Sequence, residues 1–335
     1  MEVNVRKRAM LFSGTSNPEL AEEIASQLGM RLGGVEIQRF GDGEVLARFH
    51  ESVRGADAFV IQSHRSPVND MIMEQLVLID ALKRASAKRI NAVIPYLGYS
   101  RQDRKALARE PISARLVMDL LTSAGADRVL CVDLHTGQIQ GFFNGPVDHL
   151  TALPVLSQYV EEKYPDNLVV VALDVGAAAR AAKFAKHLHA PIALMTKSRR
   201  PDVPNVSKPT GLVGDVSGRR CLVVEDMIDT GGSLVHGVEE LMSHGAIEVI
   251  AVASHGLFSE PAIDRIKNSS LTEVVVTNSL PLPSEKRIDK ITVLSIAPIL
   301  ASTIKAVFED ESVSEIFQGE HLEAIPPERE LPEDE

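Results

Sequence analysis

The segment Cys221–Ser233, CLVVEDMIDTGGS, carries the densest set of chemically useful residues in this chain. An apolar run leads into two adjacent acids, Glu225 and Asp226, and then into Asp229, Thr230, Gly231, Gly232 and Ser233. A strand, a tight turn and a helix in that order aim several backbone N–H groups at one point, the helix N-terminus, where a phosphate is stabilised. Gly231 and Gly232 let the backbone approach the anion closely, and the hydroxyls of Thr230 and Ser233 add hydrogen bonds. Glu225 and Asp226 suit sugar hydroxyls or a magnesium ion. The same turn would also cap a helix, so alone it does not establish a ligand.

Three further groupings could act on such a ligand. Arg101 and Gln102 follow the strand-like run Ile90–Tyr96, at the carboxyl end where α/β sheets place their ligands. A guanidinium plane can stack on adenine or pair with phosphate, and an amide can read a base edge. Surface charge at a helix start is the plainer reading. Asp133 and His135 alternate at the end of the run Arg128–Leu134, so the spacing predicts side chains on one side of the sheet, available to a metal. A structural histidine is the alternative there. Lys197, Arg199 and Arg200 open the stretch Lys197–Gly218, which holds three prolines, three glycines and no periodicity. A structureless stretch of that length inside a compact domain is usually a functional lid, and this one begins with cations that suit phosphates.

These residues need a scaffold, and the pattern around them supplies one. Apolar, β-rich runs occur at Ala9–Ser13, Ala58–Gln62, Ile90–Tyr96, Arg128–Leu134, Leu168–Leu173, Ile192–Thr196, Arg220–Glu225, Val249–Ser254 and Val274–Thr277. Helix-period stretches such as Met71–Arg84, Ser113–Thr122, Ala177–His187 and Ser233–Met242 lie between many of them. Short continuous apolar strands separated by amphipathic helices predict an α/β protein with mainly parallel sheets covered by helices on both faces. The length of 335 residues suits two domains, and the boundary is expected near residue 150.

The chain has 35 Lys and Arg against 46 Asp and Glu, a formal charge of −11. Residues 318–335 contribute seven acids and one arginine to that balance. An acidic body gives no footprint for nucleic acid. No apolar run is long enough to span a bilayer, and the first residues lack the apolar core of a signal peptide. A cytoplasmic protein with neither membrane nor nucleic-acid partner is expected. Cys131 and Cys221 each lie inside an apolar run and read as buried free thiols. The tail, with its prolines and acids and no apolar period, is expected to be disordered.

The acid pair followed by D-T-G-G-S resembles the phosphoribosyl-binding motif of phosphoribosyltransferases. FGDGE at Phe40, YSRQDRK at Tyr99, REPIS at Arg109, DLH at Asp133, QIQGFF at Gln138 and TNS at Thr277 then resemble the ribose-phosphate pyrophosphokinase family over nearly the whole chain to Phe317. The resemblance implies two phosphoribosyltransferase-like domains, residues 1–150 on the ATP side and 151–317 on the ribose 5-phosphate side, with a flexible loop at 197–218. It implies transfer of the diphosphoryl group of ATP to the 1-hydroxyl of ribose 5-phosphate. Lys197 and Arg199 match the family's catalytic pair, with Arg199 also toward ribose 5-phosphate. Phe40, Asp42, Gly43, Glu44, Arg101 and Gln102 match its ATP site, in which the Asp42 segment comes from a neighbouring subunit. Glu225, Asp226 and Asp229–Ser233 match its sugar-phosphate site. His135, Asp174 and Asp133 are the expected magnesium set. A homo-oligomer, a homohexamer, with the ATP site shared between subunits is implied as well.

One segment departs from the family pattern. Ala172 and Leu173 stand where Ser-Pro is usual, Ala177 replaces a glycine and Ala182 an arginine, while Glu225 replaces an aspartate. The methyl group of Ala177 is expected to crowd the pyrophosphate. A non-catalytic regulatory paralogue that binds nucleotide and assembles with an active homologue is therefore the alternative function.

Overall fold

The computed structural model describes residues 7–199 and 207–313, with the side chains of residues 197–199 and 207–210 outside that description. The first half contains β1 (Ala9–Ser13), α1 (Pro18–Gln27), β2 (Val35–Arg39), β3 (Val45–Phe49), β4 (Asp57–Ile61), α2 (Val68–Arg84), β5 (Arg89–Ile94), α3 (Ser113–Ala124), β6 (Arg128–Val132) and β7 (Val147–Leu150). Its parallel sheet has the order β1-β4-β5-β6-β7, while β2 and β3 form a separate antiparallel hairpin. The second half contains α4 (Leu153–Lys163), β8 (Leu168–Ala172), α5 (Ala178–His187), β9 (Ile192–Arg199), β10 (Ser207–Val213), β11 (Arg220–Ile228), α6 (Gly232–Ser243), β12 (Glu248–Gly256), α7 (Ala262–Asn268), β13 (Glu273–Thr277), β14 (Ile291–Leu294) and α8 (Ala297–Glu309). Its sheet has the order β10-β9-β8-β11-β12-β13-β14, parallel except where β10 pairs with β9.

The central strands are largely apolar because both their faces are covered. Every residue of β4, β8 and β13 is buried. The strand period of two then sorts alternate residues into different cores. Leu11 joins one apolar cluster, whereas its neighbours Met10 and Phe12 join another. One cluster is common to both halves: Leu11, Phe59 and Leu130 of the first sheet pack with Val170, Leu222 and Val252 of the second, beneath Leu20 and Ile24 of α1 and Leu300 and Ile304 of α8. The other two clusters belong to one half each. Fully burying side chains of this size contributes about 1.5–3 kcal/mol apiece, so the shared cluster fixes the two sheets against each other.

Polar contacts reinforce that junction at the carboxyl ends of the strands. Asn17, the N-cap of α1, accepts from the Leu20 N–H and donates through Nδ2 to the Asn278 carbonyl at 2.8 Å. Ser63 donates to the Ser279 carbonyl at 2.6 Å.

Two elements differ from the sequence expectation. The stretch 197–218 is not structureless: residues 207–213 form β10, paired antiparallel with β9. Proline and glycine conceal this strand in the sequence, yet both are tolerated at a sheet edge, and the ladder is irregular between Pro209 and Gly211. In addition, β6 stops at Val132, and Asp133 adopts a positive φ of 39°. Strand alternation therefore ends before Asp133 and cannot place it beside His135.

Candidate active site

The turn after β11 has the form its residues favour. Gly231 caps α6 with φ 69° and ψ 0°, a left-handed conformation that only glycine adopts without strain. The first turn of this helix of 12 residues then presents unpaired N–H groups. A cation stands beside the turn: Arg265 of α7 donates to the Thr230 carbonyl at 2.8 Å. A Cβ on Gly232 would lie 3.1 Å from Arg265 Nη1.

Side chains from the two halves meet beneath this turn. His135 Nδ1 lies 2.6 Å from Asp226 Oδ2, and Arg180 Nη2 lies 3.6 Å from Asp226 Oδ1. Burial of Asp226 opposes its charge, but His135 and Arg180 outweigh burial and hold its carboxyl down at about 2. The bond from Asp226 raises the pKa of His135 in return. Above, Arg101 Nη1 donates to Asp229 Oδ2 at 2.6 Å. Burial opposes the charge of Asp229, but Ser259 and Arg101 outweigh it and lower its pKa.

The turn that carries His135 is held from the opposite half. Asp133 Oδ2 accepts from the Ala152 N–H at 2.9 Å and from the Ser254 hydroxyl at 2.5 Å. His255 Nε2 lies 3.1 Å from the carbonyl oxygens of both Val132 and Asp133. Asp133 is thus engaged in fixing the backbone, whereas His135 retains Nε2 for a ligand.

Asp174 starts the short turn Val175–Ala177, and its Oδ1 accepts from the Ala177 N–H at 3.1 Å. Ala177 has φ −84° and is 3% exposed, with its methyl group in the shared apolar cluster. The expected crowding of a pyrophosphate by this methyl does not arise, because the Cβ points into the core. Ala182 is exposed.

Gln102 is fixed by the start of α3: its side-chain oxygen accepts from Ser113 Oγ at 2.6 Å, and its carbonyl accepts from the Ala114 N–H. Phe40, Asp42, Gly43 and Glu44 form the tip of the β2–β3 hairpin, closed by the Phe40 N–H to Glu44 carbonyl bond and the Asp42 carboxylate on the Glu44 N–H. Phe40 is 54% exposed. Lys197 and Arg199 close β9, and their side chains lie outside the described residues. Glu225 lies one residue before Asp226 within β11.

Sequence reasoning passed over Arg265 as a site cation, and Ser254 and His255 as supports. They sit on a helix and a strand far along the chain from the residues they serve, with no local motif to mark them. Among the described residues, no three His, Cys, Asp or Glu side chains gather to hold a metal ion. A groove of about 490 Å³ lined by Ser13–Thr15 and Gly33–Val35 shares no residue with this site.

Two mainly parallel sheets joined at their carboxyl ends, with a glycine-bearing strand–turn–helix at the junction, form an α/β architecture suited to phosphorylated nucleotide or sugar ligands. Residues 9–125 match the N-terminal domain of ribose phosphate pyrophosphokinase, and residues 196–318 match the phosphoribosyl synthetase-associated domain. The ribose-phosphate pyrophosphokinase of Streptomyces avermitilis is 53% identical over 312 residues, covering 93% of this chain and 96% of that protein. That of Mycobacterium bovis is 53% identical over 317 residues, covering 94% and 97%. The crystal structure of phosphoribosylpyrophosphate synthetase from Mycobacterium smegmatis superposes with a TM-score of 0.86 at 50% identity, covering 91% of this chain and all of that one. The chain belongs to the ribose-phosphate pyrophosphokinase family.

Proposed function

We propose that this chain transfers the diphosphoryl group of ATP to the 1-hydroxyl of ribose 5-phosphate, giving 5-phospho-α-D-ribose 1-diphosphate and AMP. The observation that carries the reading is the meeting of the Arg101 segment with the Asp229–Ser233 turn. It brings a nucleotide-binding element of the first half against a sugar-phosphate element of the second.

Within that reading, the N–H groups at the start of α6, with Thr230, Ser233 and Arg265 beside them, hold the 5-phosphate, and Glu225 and Asp226 orient the ribose hydroxyls. Arg101 and Gln102 hold the nucleotide, and the Phe40–Glu44 tip serves the ATP site of a neighbouring copy in a homo-oligomer, a homohexamer. An exposed aromatic at a hairpin tip is consistent with that placement. Lys197 and Arg199 neutralise charge on the transferring group. Positioning and electrostatics carry the catalysis, with no covalent intermediate on the protein.

Family members generally use magnesium. The donors here fit a cation that arrives with the triphosphate, since magnesium commonly takes one or two protein ligands and fills the rest with phosphates and water. His135 and Asp174 would hold it, while Asp133 keeps its backbone contacts. The ion would neutralise the polyphosphate and polarise the β-phosphorus. We also place the division between a nucleotide domain and a sugar-phosphate domain near residue 150, where β7 ends one sheet.

Burial of the Ala177 methyl weakens one of the departures that favoured a regulatory paralogue, leaving Ala172, Leu173, Ala182 and Glu225. Release of AMP by the purified chain from ATP, ribose 5-phosphate and magnesium tests the two directly. Magnesium-dependent turnover is expected. A protein that binds ATP but releases no AMP would be the regulatory paralogue.

A further inference from the structure

Asp229 opens the sugar-phosphate turn, yet its carboxylate faces the other half. It accepts the Arg101 bond at 2.6 Å, and Ser259 favours its charge from its own half. The backbone around Arg101 is fixed separately. Tyr99 has a left-handed φ of 63°, its carbonyl accepts from the Gln102 N–H, and the Gln102 carbonyl accepts from the Ala114 N–H at the start of α3. The Arg101 side chain is about half exposed, and the contact engages a single terminal nitrogen. The exposed part of the guanidinium can still meet a base or a phosphate.

From this geometry we infer that Asp229 is a positioning residue for ATP, acting through Arg101, so that one acid of the sugar-phosphate turn sets the affinity of the nucleotide site. The inference rests on the proposed role of Arg101 in ATP binding. An arginine side chain loses up to about 2 kcal/mol of rotamer freedom when it is immobilised. An acid that already holds one nitrogen removes part of that loss before ATP arrives, which is preorganisation. The link also runs between the two substrate sites, so a change at the turn is transmitted to the nucleotide by a single ion pair.

The test is equilibrium binding of ATP with magnesium and without ribose 5-phosphate, so that a role of Asp229 toward the sugar cannot contribute. Asp229→Asn should weaken ATP about fivefold, the scale of ~1 kcal/mol for a partly exposed ion pair. Arg101→Ala should weaken it at least as much. The double variant should bind no worse than Arg101→Ala alone, because the acid acts only through the arginine. Ser259→Ala, which removes the other support of Asp229, should give a smaller loss and guards against a variant that fails to fold. Unchanged ATP affinity in Asp229→Asn, or additive losses in the double variant, would overturn the inference. Tighter binding in Asp229→Asn would overturn it too, since the pair would then be a lock that ATP must break. If Arg101→Ala itself binds ATP normally, the assignment of Arg101 to the nucleotide fails, which is a separate result.

Discussion

Two clusters of this protein hold a carboxylate whose pKa is about 2 against the opposition of burial, and they do different work. At the amino end of the second sheet, Glu273 begins β13. Its oxygens accept from Tyr159 at 2.7 Å, Tyr164 at 2.6 Å, Lys163 at 2.9 Å and Thr292. At the carboxyl end, Asp226 is held by His135 and Arg180, and Asp229 by Arg101 and Ser259. All four donors to Glu273 belong to the second half, and they fill its acceptor capacity. The partners of the upper acids come from both halves, and Arg101, His135 and Arg180 remain partly exposed with nitrogens to spare. A depressed pKa therefore does not identify a functional acid. What separates the clusters is whether the partners saturate the carboxylate or leave groups for a ligand.

The largest expected effect lies at the upper end. Lys197→Ala should lose roughly 10²–10⁴-fold in kcat, the scale for removing one preorganised charge contact, with the unfolding midpoint unchanged. ATP affinity should move much less. Steady-state AMP release alongside ATP binding measures both, and a near-normal kcat would return Lys197 to an ordinary surface charge. The lower end should show the opposite division. Glu273→Ala leaves the buried Tyr164 hydroxyl without its acceptor and should cost about 2–3 kcal/mol of stability, read by denaturant unfolding, with kcat unchanged. Loss of turnover without loss of stability would break the contrast between the clusters.

A third change sharpens the upper end by separating the two substrates. Gly232→Val places a branched side chain against Arg265 and the N–H groups that open α6. The KM for ribose 5-phosphate should rise about tenfold, ~1.4 kcal/mol, while that for ATP changes little. Equal effects on both substrates would point to a damaged fold.

How much of this was legible beforehand follows from the range of the interactions. The α/β class, the central strands and the glycine turn before α6 are written locally, in continuous apolar runs and in D-T-G-G-S, because these features depend on residues adjacent in the chain. The hairpin strands β2 and β3 escaped notice because none of their residues is fully buried, so neither shows a continuous apolar run. Strand β10 was hidden by Pro209 and Gly211, which a sheet edge accepts. The turn at Asp133 was misread because its positive φ is imposed from the other half by Ser254 and His255, more than 100 residues away. Ala177 was misjudged for the same reason, since only the packed core shows where its methyl group points.

The smallest expected effect concerns acid, and it tests the lower cluster alone. Burial pushes the Glu273 carboxyl up, but the bonds from Thr292, Tyr164, Tyr159 and Lys163 outweigh it and bring the pKa from 4.5 down to about 2. A group depressed on folding contributes stability that is fully present above its unfolded pKa and is lost as pH falls through the folded one. For Glu273 that window runs from about 4.5 down to about 2. Within it, the unfolded chain takes up a proton that the folded protein refuses. A single such group changes the slope of stability with pH by at most about 1.4 kcal/mol per unit. Glu273→Gln removes the titration and keeps one acceptor oxygen for the phenols, so its stability should fall less steeply than that of the unaltered protein between pH 4.5 and 2. Above this window the two curves should run parallel. Unfolding midpoints measured across the acid range check the sign, and parallel curves throughout would show that Glu273 keeps an ordinary pKa and that its donors merely fill space.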